Sequence, residues 1–513
     1  MNIYNVLQRI AADSPNRLFV SVENDAITYE RFASITQQMS AALMAAGIHP
    51  KEPIVLIVSN SSKWLTLFWA IVRTGAIPVP VDPNAGEWEL ERLFTITGAR
   101  LCFASRAYRS NFILQHLQTL QKRGLSLQHI IPIEDISEDD GMIDLQHFAK
   151  DAKNHCPVRP FDADPSDTLM LACTSGSTGN PKIIEVPHVG FYQSQKDMGT
   201  YLGFCATDVM LLGMPLYHQG GFGMGLQMLL KGGSIMYQTL FDPVQYLQTI
   251  QEKKVTVVQL TATLAKILLS HPHFDSYNLS SVKLVYFAGE MLPMDIAEQF
   301  FKTRHIRVVN VIGSSETATM VVWDSERDGD VDVNEFRPLS FTRVKILDNA
   351  MNDVPPDEVG TIYISTDALI TGYYQNDAET QRTLTKMEGR RWFNTGDLAR
   401  RTTSGRIRFV GRARRIIKRG ATLIYPEEVE SFLLTHPAIE AVAVIGESHE
   451  LIGETTVALI QTKKGHQLTR SDIVHFCIGK LSTCKIPDRV LPMEEIPKYI
   501  GKVQFKHIKM QTQ

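Results

Sequence analysis

Short, solidly apolar runs alternate along this chain with segments whose apolar residues recur at helical spacing, and that alternation limits the fold more than any other feature. Residues 53–58 (PIVLIV) form the first such run. Residues 60–75 carry a helical pattern, residues 76–81 a second short strand, and Asp82 with Pro83 a stop. A strand without polar alternation is covered on both faces, as in a mainly parallel sheet flanked by helices. The unit recurs at residues 209–215, 234–238, 255–260, 284–288 and 308–312, each followed by glycine, proline or a helix-start signal. An α/β fold is expected. At 513 residues the chain exceeds a single core, so two or three domains are expected.

From about Arg343 the character changes. VKIL, GTIYIST, RWFNTGDLARR and GRIRFVG are short β-rich pieces separated by turns, which reads as an antiparallel subdomain. After Gly411 come a very basic stretch, an amphipathic helix over 427–434, a strand over 441–445 and a small α/β tail. The expected division is a large N-terminal domain, 1–411, made of α/β subdomains and the β-rich subdomain, and a small α+β C-terminal domain, 412–513.

A net charge of −3 gives no electrostatic reason to propose nucleic acid as a partner. Cys102, Cys156, Cys173, Cys205, Cys477 and Cys484 are scattered without metal-ligand spacing, so reduced thiols are expected rather than a zinc site or a disulfide framework. The N-terminal residues turn polar too early for a secretory segment. The longest apolar run, 64–72, stops at Arg73, far short of the ~20 residues that span a bilayer. A cytoplasmic enzyme is the expectation.

The chemistry concentrates first in residues 174–182, TSGSTGNPK. Thr174, Ser175, Ser177 and Thr178 offer hydroxyl donors to phosphate oxygens. Gly176 and Gly179 let backbone N–H groups approach closely, and Lys182 adds a point charge. No GxxxxGK[ST] pattern fits, because Ile183 follows the lysine, so this is not a Walker A loop. The bland alternative is a flexible surface linker.

Four further segments suit a nucleotide-activating site. Gly313, Ser314, Ser315 and Glu316 follow a buried strand, where a hydroxyl beside a carboxylate can meet a phosphate oxygen and a Mg²⁺ ion. Asn394-Thr395-Gly396-Asp397 places an acid on a tight turn, able to accept both ribose hydroxyls. Arg412 follows the glycine of VGR, and Lys502 lies in IPKYIGK near the C-terminus. Taken singly these are an N-cap, a β-turn and solvated turns. Their occurrence together, in this order, favours the site.

Together with PLYH (215–218), FAGE (287–290), GYY (372–374), FNTGD (393–397) and GRARRIIKRGATLIYPEEVE (411–430), these residues resemble the adenylate-forming superfamily of acyl- and aryl-CoA synthetases, carrier-protein adenylation domains and beetle luciferases. The resemblance spans residues 14–509. It implies a mobile C-terminal domain and two half-reactions: a carboxylate attacks the α-phosphate of Mg·ATP to give acyl-AMP and pyrophosphate, and a thiol then displaces AMP. It further implies that Thr174, Ser175, Gly176, Ser177, Thr178, Gly179 and Lys182 handle the β- and γ-phosphates. Ser315 would meet the α-phosphate and Glu316 the magnesium. Ala288, Gly289, Glu290, Ile312 and Gly313 would border the adenine, and Asp397 and Arg412 the ribose. Lys502 would bridge the substrate carboxylate and the α-phosphate, and His218 would gate the passage between acid pocket and thiol tunnel.

Some positions depart from the family pattern. Ile312 stands where a tyrosine usually stacks on adenine, Ala421 and Leu423 lie in GATL where many CoA ligases have GGEN, Ile183 replaces a glycine, and Arg414 sits at the expected hinge. Residues 217–225 (YHQGGFGMG) hold no acid to pair with an α-ammonium, which disfavours an amino-acid substrate. Their four glycines, Phe222 and Met224 suggest an apolar slot for an aryl or medium acyl group. The nine cations from Arg400 to Arg419 read either as a rim for CoA phosphates or an acidic carrier protein, or as a solvated hairpin face. The leading expectation is an acid–thiol ligase using CoA. Alternatives are an enzyme that loads a carrier protein's phosphopantetheine, an NTPase or kinase that releases phosphate or ADP, and a non-catalytic nucleotide-binding relative. A monomer or homodimer is expected.

Overall fold

The structure, a computed structural model, describes residues 3–23, 25–134, 143–150, 161–164, 167–174, 182–289, 292–329, 331–412, 416–420, 422–494, 496, 498–499 and 502–503. The chain divides into two compact units. One comprises Met1–Pro83, Phe94–Cys173 and Ile183–Ala413, and the other Asn84–Leu93, Thr174–Lys182 and Arg414–Gln513.

In the first unit, the solid run at residue 53 becomes a strand, Pro53–Ile57, in a four-stranded parallel sheet with Ile77–Pro80 on one side and Leu101–Ala104 then His129–Pro132 on the other. Helix α1 (Ser62–Thr74) begins where the Ser61 hydroxyl accepts the Trp64 N–H at 3.2 Å, and it ends where Gly75 turns left-handed at φ 81°. Every residue of α1 except Lys63 is buried, so this helix packs on all sides. Two strands follow, β1 (Thr168–Thr174) and β2 (Lys182–Pro187), and β2 leads directly into helix α2 (His188–Leu202).

The largest sheet runs through β3 (Val209–Leu212), which precedes helix α3 (Gln219–Leu229), and continues through β4 (Ser234–Tyr237), β5 (Val257–Leu260), β6 (Leu284–Ala288) and β7 (Arg307–Ser314). These pair in parallel in the order β4, β3, β5, β6, β7. Alternate residues along each strand enter different cores. Tyr286, Ala288, Val309 and Val311 face one cluster with Phe222 and Met214, while Val285, Phe287 and Val308 face another with Leu260 and Phe300. Both faces are therefore apolar, which is why these strands read as unbroken hydrophobic runs. Each such side chain contributes roughly 1.5–3 kcal/mol over leaving it exposed.

After β7 the sheet turns antiparallel through β8 (Ala318–Asp324). The β-rich pieces after Arg343 extend this same hydrogen-bonded sheet rather than forming a separate one. A short strand, β9 (Gly372–Tyr373), leaves it to pair with β2. The extension ends in β10 (Arg390–Arg401) and β11 (Ile407–Arg412).

The second unit has its own core. Ile417, Val429, Phe432, Val444, Ile460 and Ile473 are buried among strands Ile417–Arg419, Thr422–Ile424, Ile439–His449 and Gly453–Thr462 and two helices. The helix at Pro426–Leu433 starts with proline in its first turn, and that at Arg470–Cys477 has a Thr469/Asp472 capping box.

Candidate nucleotide and acid site

Parallel strands leave their C-terminal ends as the ligand edge of an open α/β sheet. Ala288 at the end of β6 lies opposite Val311 on β7, so Gly289 adjoins Ile312 and Gly313. Gly289 has φ 90°, open to glycine at little cost, and it is exposed. The residues assigned to the adenine border are thus neighbours, apart from Glu290, which falls outside the described residues. Gly313 is required by a close approach: a Cβ there would sit 2.4 Å from the carbonyl oxygen of Ala318, where a bulge interrupts the β7–β8 pairing. Ile312 packs partly buried against the apolar core behind the sheet.

The turn between β7 and β8 holds Ser315 and Glu316, both half-buried. The Tyr373 hydroxyl on β9 donates to Oε1 of Glu316 at 3.1 Å, and the Glu316 carbonyl accepts the Ile370 N–H at 3.0 Å. Burial and then the nearby Glu316 charge raise the Tyr373 pKa, so this phenol stays a donor. It fixes one carboxylate oxygen of Glu316 and thereby the aim of the other. Among the described residues no three His, Cys, Asp or Glu side chains converge on a metal position. One fixed carboxylate is nonetheless suited to a Mg²⁺ ion held mostly by substrate phosphates and water.

Asp397 and Arg412 come together through register, facing each other across β10 and β11. The expected tight turn at NTGD is corrected. All four residues lie within β10, where pairing with Val359–Thr366 skips register and Gly396 takes φ 70°. This bulge bends the strand and re-aims the buried Asp397. The Asn394 side chain accepts the Gly396 N–H at 2.9 Å, and the Thr395 hydroxyl accepts the Asp397 N–H at 3.0 Å. Several of the run of cations are paired: Arg406 with Asp328, Arg408 with Asp332 and Glu335, and Arg419 with Asp488. These pairings engage those three cations within the protein, Arg406 against the buried Asp328.

Thr174 ends β1 and Lys182, buried, opens β2, as expected for the rims of a strand-to-strand loop. Ser175, Gly176, Ser177, Thr178 and Gly179 lie outside the described residues. So do the side chains of Arg412 and Lys502. The Lys502 backbone forms a two-residue strand with Val503, paired to Lys498–Tyr499.

His218 is the N-cap residue of α3 and is exposed, while surrounding protein mass lowers its pKa by desolvation against an opposing pull from Asp82. The expected slot made by four glycines is corrected. A Cβ on Gly221 would meet the Pro215 carbonyl oxygen at 2.2 Å, on Gly223 the Gln195 amide oxygen at 3.2 Å, and on Gly225 the Tyr237 hydroxyl at 2.8 Å. Those glycines let α3 pack closely. Phe222 is likewise spoken for, with its ring centroid 4.4 Å from Phe68 and 5.7 Å from Trp64. Buried Met214 lies between two glycines of the two motifs, its Cε 3.0 Å from the Cβ position of Gly220 and 3.9 Å from that of Gly289. Gln219, missed in the sequence because a lone glutamine carries no pattern, is buried with neither amide atom hydrogen-bonded among the described residues.

An open α/β sheet edge, a carboxylate fixed beside it and the Asp397–Arg412 register across β10 and β11 are the setting of a nucleotide-activating enzyme. The chain belongs to the AMP-binding enzyme family, whose main domain matches residues 7–374 and whose C-terminal domain matches residues 428–500. Feruloyl-CoA synthase from Amycolatopsis sp is 27% identical over 495 residues, covering 95% of this chain and 94% of that protein. The mitochondrial medium-chain acyl-CoA ligase ACSF2 of Danio rerio is 26% identical over 536 residues, covering 99% and 88%. The amide bond synthetase McbA from Marinactinospora thermotolerans shares the fold, with a TM-score of 0.87 at 20% identity over 100% of this chain and 99% of that one.

Proposed function

We infer that this protein activates a carboxylic acid with ATP and passes the acyl group to CoA. In the first half-reaction a carboxylate oxygen attacks the α-phosphorus, the α–β bond breaks, and pyrophosphate leaves. In the second, the CoA thiol loses its proton and attacks the acyl carbon, and AMP leaves with the C–O electron pair. The observation that carries this reading is the register of β6 and β7, which puts two motifs of an AMP-binding enzyme side by side at the ligand edge of the sheet.

The residue roles implied by the resemblance suit this chemistry. Joining two anions demands positive charge in the transition state, and an ammonium at Lys502 supplies it. Lys182 and the hydroxyls of Thr174, Ser175, Ser177 and Thr178, with the backbone at Gly176 and Gly179, hold the leaving pyrophosphate. Ser315 meets the α-phosphate. Glu316 holds Mg²⁺, which would neutralise phosphate charge when bound. Asp397 accepts the ribose hydroxyls beside Arg412, and Glu290 completes the adenine border. The acid lies along Met214, Gly220 and Gly289, with His218 at its mouth, so the flexible Met214 side chain limits the depth available. A C-terminal domain that moves between half-reactions removes Lys502 and admits the thiol.

Incubation with ATP, Mg²⁺, CoA and a panel of aryl, short, medium and long acids tests this directly. AMP, pyrophosphate and an acyl-CoA are expected as products. ADP or orthophosphate as the primary product contradicts the inference, as does an acyl group found only on a carrier protein.

A further inference from the structure

A cavity of about 290 Å³ lies at the other end of β1 and β2 from the phosphate loop. It is lined by Lys51, Phe161, Asp167, Glu185, His188 and Tyr374 together with apolar side chains from the end of α1 and the strand after it. Thr168 in its wall is six residues from Thr174, about 20 Å along a strand, and Glu185 is three residues from Lys182, about 10 Å. The cavity therefore lies mostly at the far end of the strands that carry the loop, with Tyr374 in its wall donating its N–H to the Ile183 carbonyl beside Lys182 at 2.7 Å.

Its polar groups are unevenly satisfied. Asp167 is engaged: Oδ1 pairs with Lys51 at 3.4 Å and Oδ2 accepts the Asp164 N–H at 2.8 Å. That pair cancels one charge of each sign. Among the described residues Glu185 has no ion-pair partner on the cavity wall; burial raises its pKa, a hydrogen bond from the Thr371 side chain opposes the rise, and Asp377 adds to it. His188 is 3% exposed, and neither of its ring nitrogens has a hydrogen-bond partner among the described residues. Burial pushes its pKa down to about 4, so at neutral pH it is an uncharged ring with one nitrogen able to accept a proton-bearing donor. Leaving a buried polar group unpaired is costly, and a built cavity beside the unpaired His188 ring and a carboxylate without a counter-charge is how a protein keeps them for a ligand. The apolar portion is equally built. The Phe161 ring covers Gly75 so closely that a Cβ there would lie 2.6 Å from it.

We propose that this cavity is a second binding site, which takes a small primary ammonium ion with an apolar body. The N–H donors of such an ion satisfy the Glu185 carboxylate and the acceptor nitrogen of His188 together, and its hydrocarbon lies against Phe161. An anion is disfavoured because Lys51, the only cation among the described residues lining the cavity, is already paired. A neutral alcohol leaves the Glu185 charge uncompensated.

Isothermal titration calorimetry of the full chain with n-butylammonium chloride tests this, with n-butanol and tetramethylammonium chloride as controls. Saturable binding of n-butylammonium is expected, at least tenfold tighter than either control, because butanol lacks the charge and tetramethylammonium lacks N–H donors. Glu185→Gln should weaken it at least tenfold. His188→Phe, which fills the cavity with a ring of similar size, should do the same. Both variants should retain wild-type ATP–pyrophosphate exchange, which shows that they are folded. Equal binding of a control, or wild-type ammonium affinity in either folded variant, overturns the proposal.

Discussion

At the residue scale, His188 gives a sharp pH signature. Its unfolded pKa is near 6.5 and its folded pKa about 4, so between these values the unfolded chain binds more protons. The stability it contributes is complete above pH 6.5 and is lost as pH falls toward 4, by about 3 kcal/mol in all. Burial dominates this shift, the positive charge of the chain's N-terminus adds to it and Asp167 opposes it. Denaturant unfolding of wild type and His188→Phe across pH 4–7 should show a curve flatter by about 3 kcal/mol in the variant; parallel curves would exclude the assignment. Met214 makes the second prediction at this scale. Met214→Ala removes the atoms between Gly220 and Gly289, so kcat/KM should shift at least tenfold toward bulkier acids. An unchanged acid preference would remove Met214 from the slot.

At the scale of elements, the β10 bulge decides whether Asp397 is positioned to bind ribose. Asp397→Asn keeps the shape and removes the charge, and it should raise the KM for ATP at least tenfold; an unchanged KM would remove the ribose role. The bulge also shows where reading the sequence stops. NTGD was legible as a special backbone because glycine stands beside an acid, but a turn and a bulged strand use the same residues, and only the pairing partner distinguishes them. The parallel strands were legible because both faces of β6 and β7 are apolar, as the split of Val308 and Val309 between two cores explains. The glycines of α3 were misread because glycine serves close helix packing as readily as an open slot. Neither Gln219 nor His188 could be found from sequence, since an unpaired buried group is a property of three-dimensional surroundings.

For the whole molecule, the two units have separate cores, and the proposed lysine lies on the second while Glu316 and Asp397 lie on the first. That division suits a reaction whose halves need different charge at one place. Lys502→Ala should abolish acyl-AMP formation, a loss of at least a hundredfold, while thiolysis of supplied acyl-AMP by CoA stays within a few-fold of wild type. Equal loss of both would mean that the residue supports folding or the second step.

The most direct measurement is acid-dependent exchange of labelled pyrophosphate into ATP without CoA. Exchange that appears only when a carboxylic acid is added, saturates with it and disappears in Lys502→Ala is the predicted result. No exchange with any acid of the panel, or exchange indifferent to acid, would contradict cleavage of the α–β bond by a carboxylate at this site.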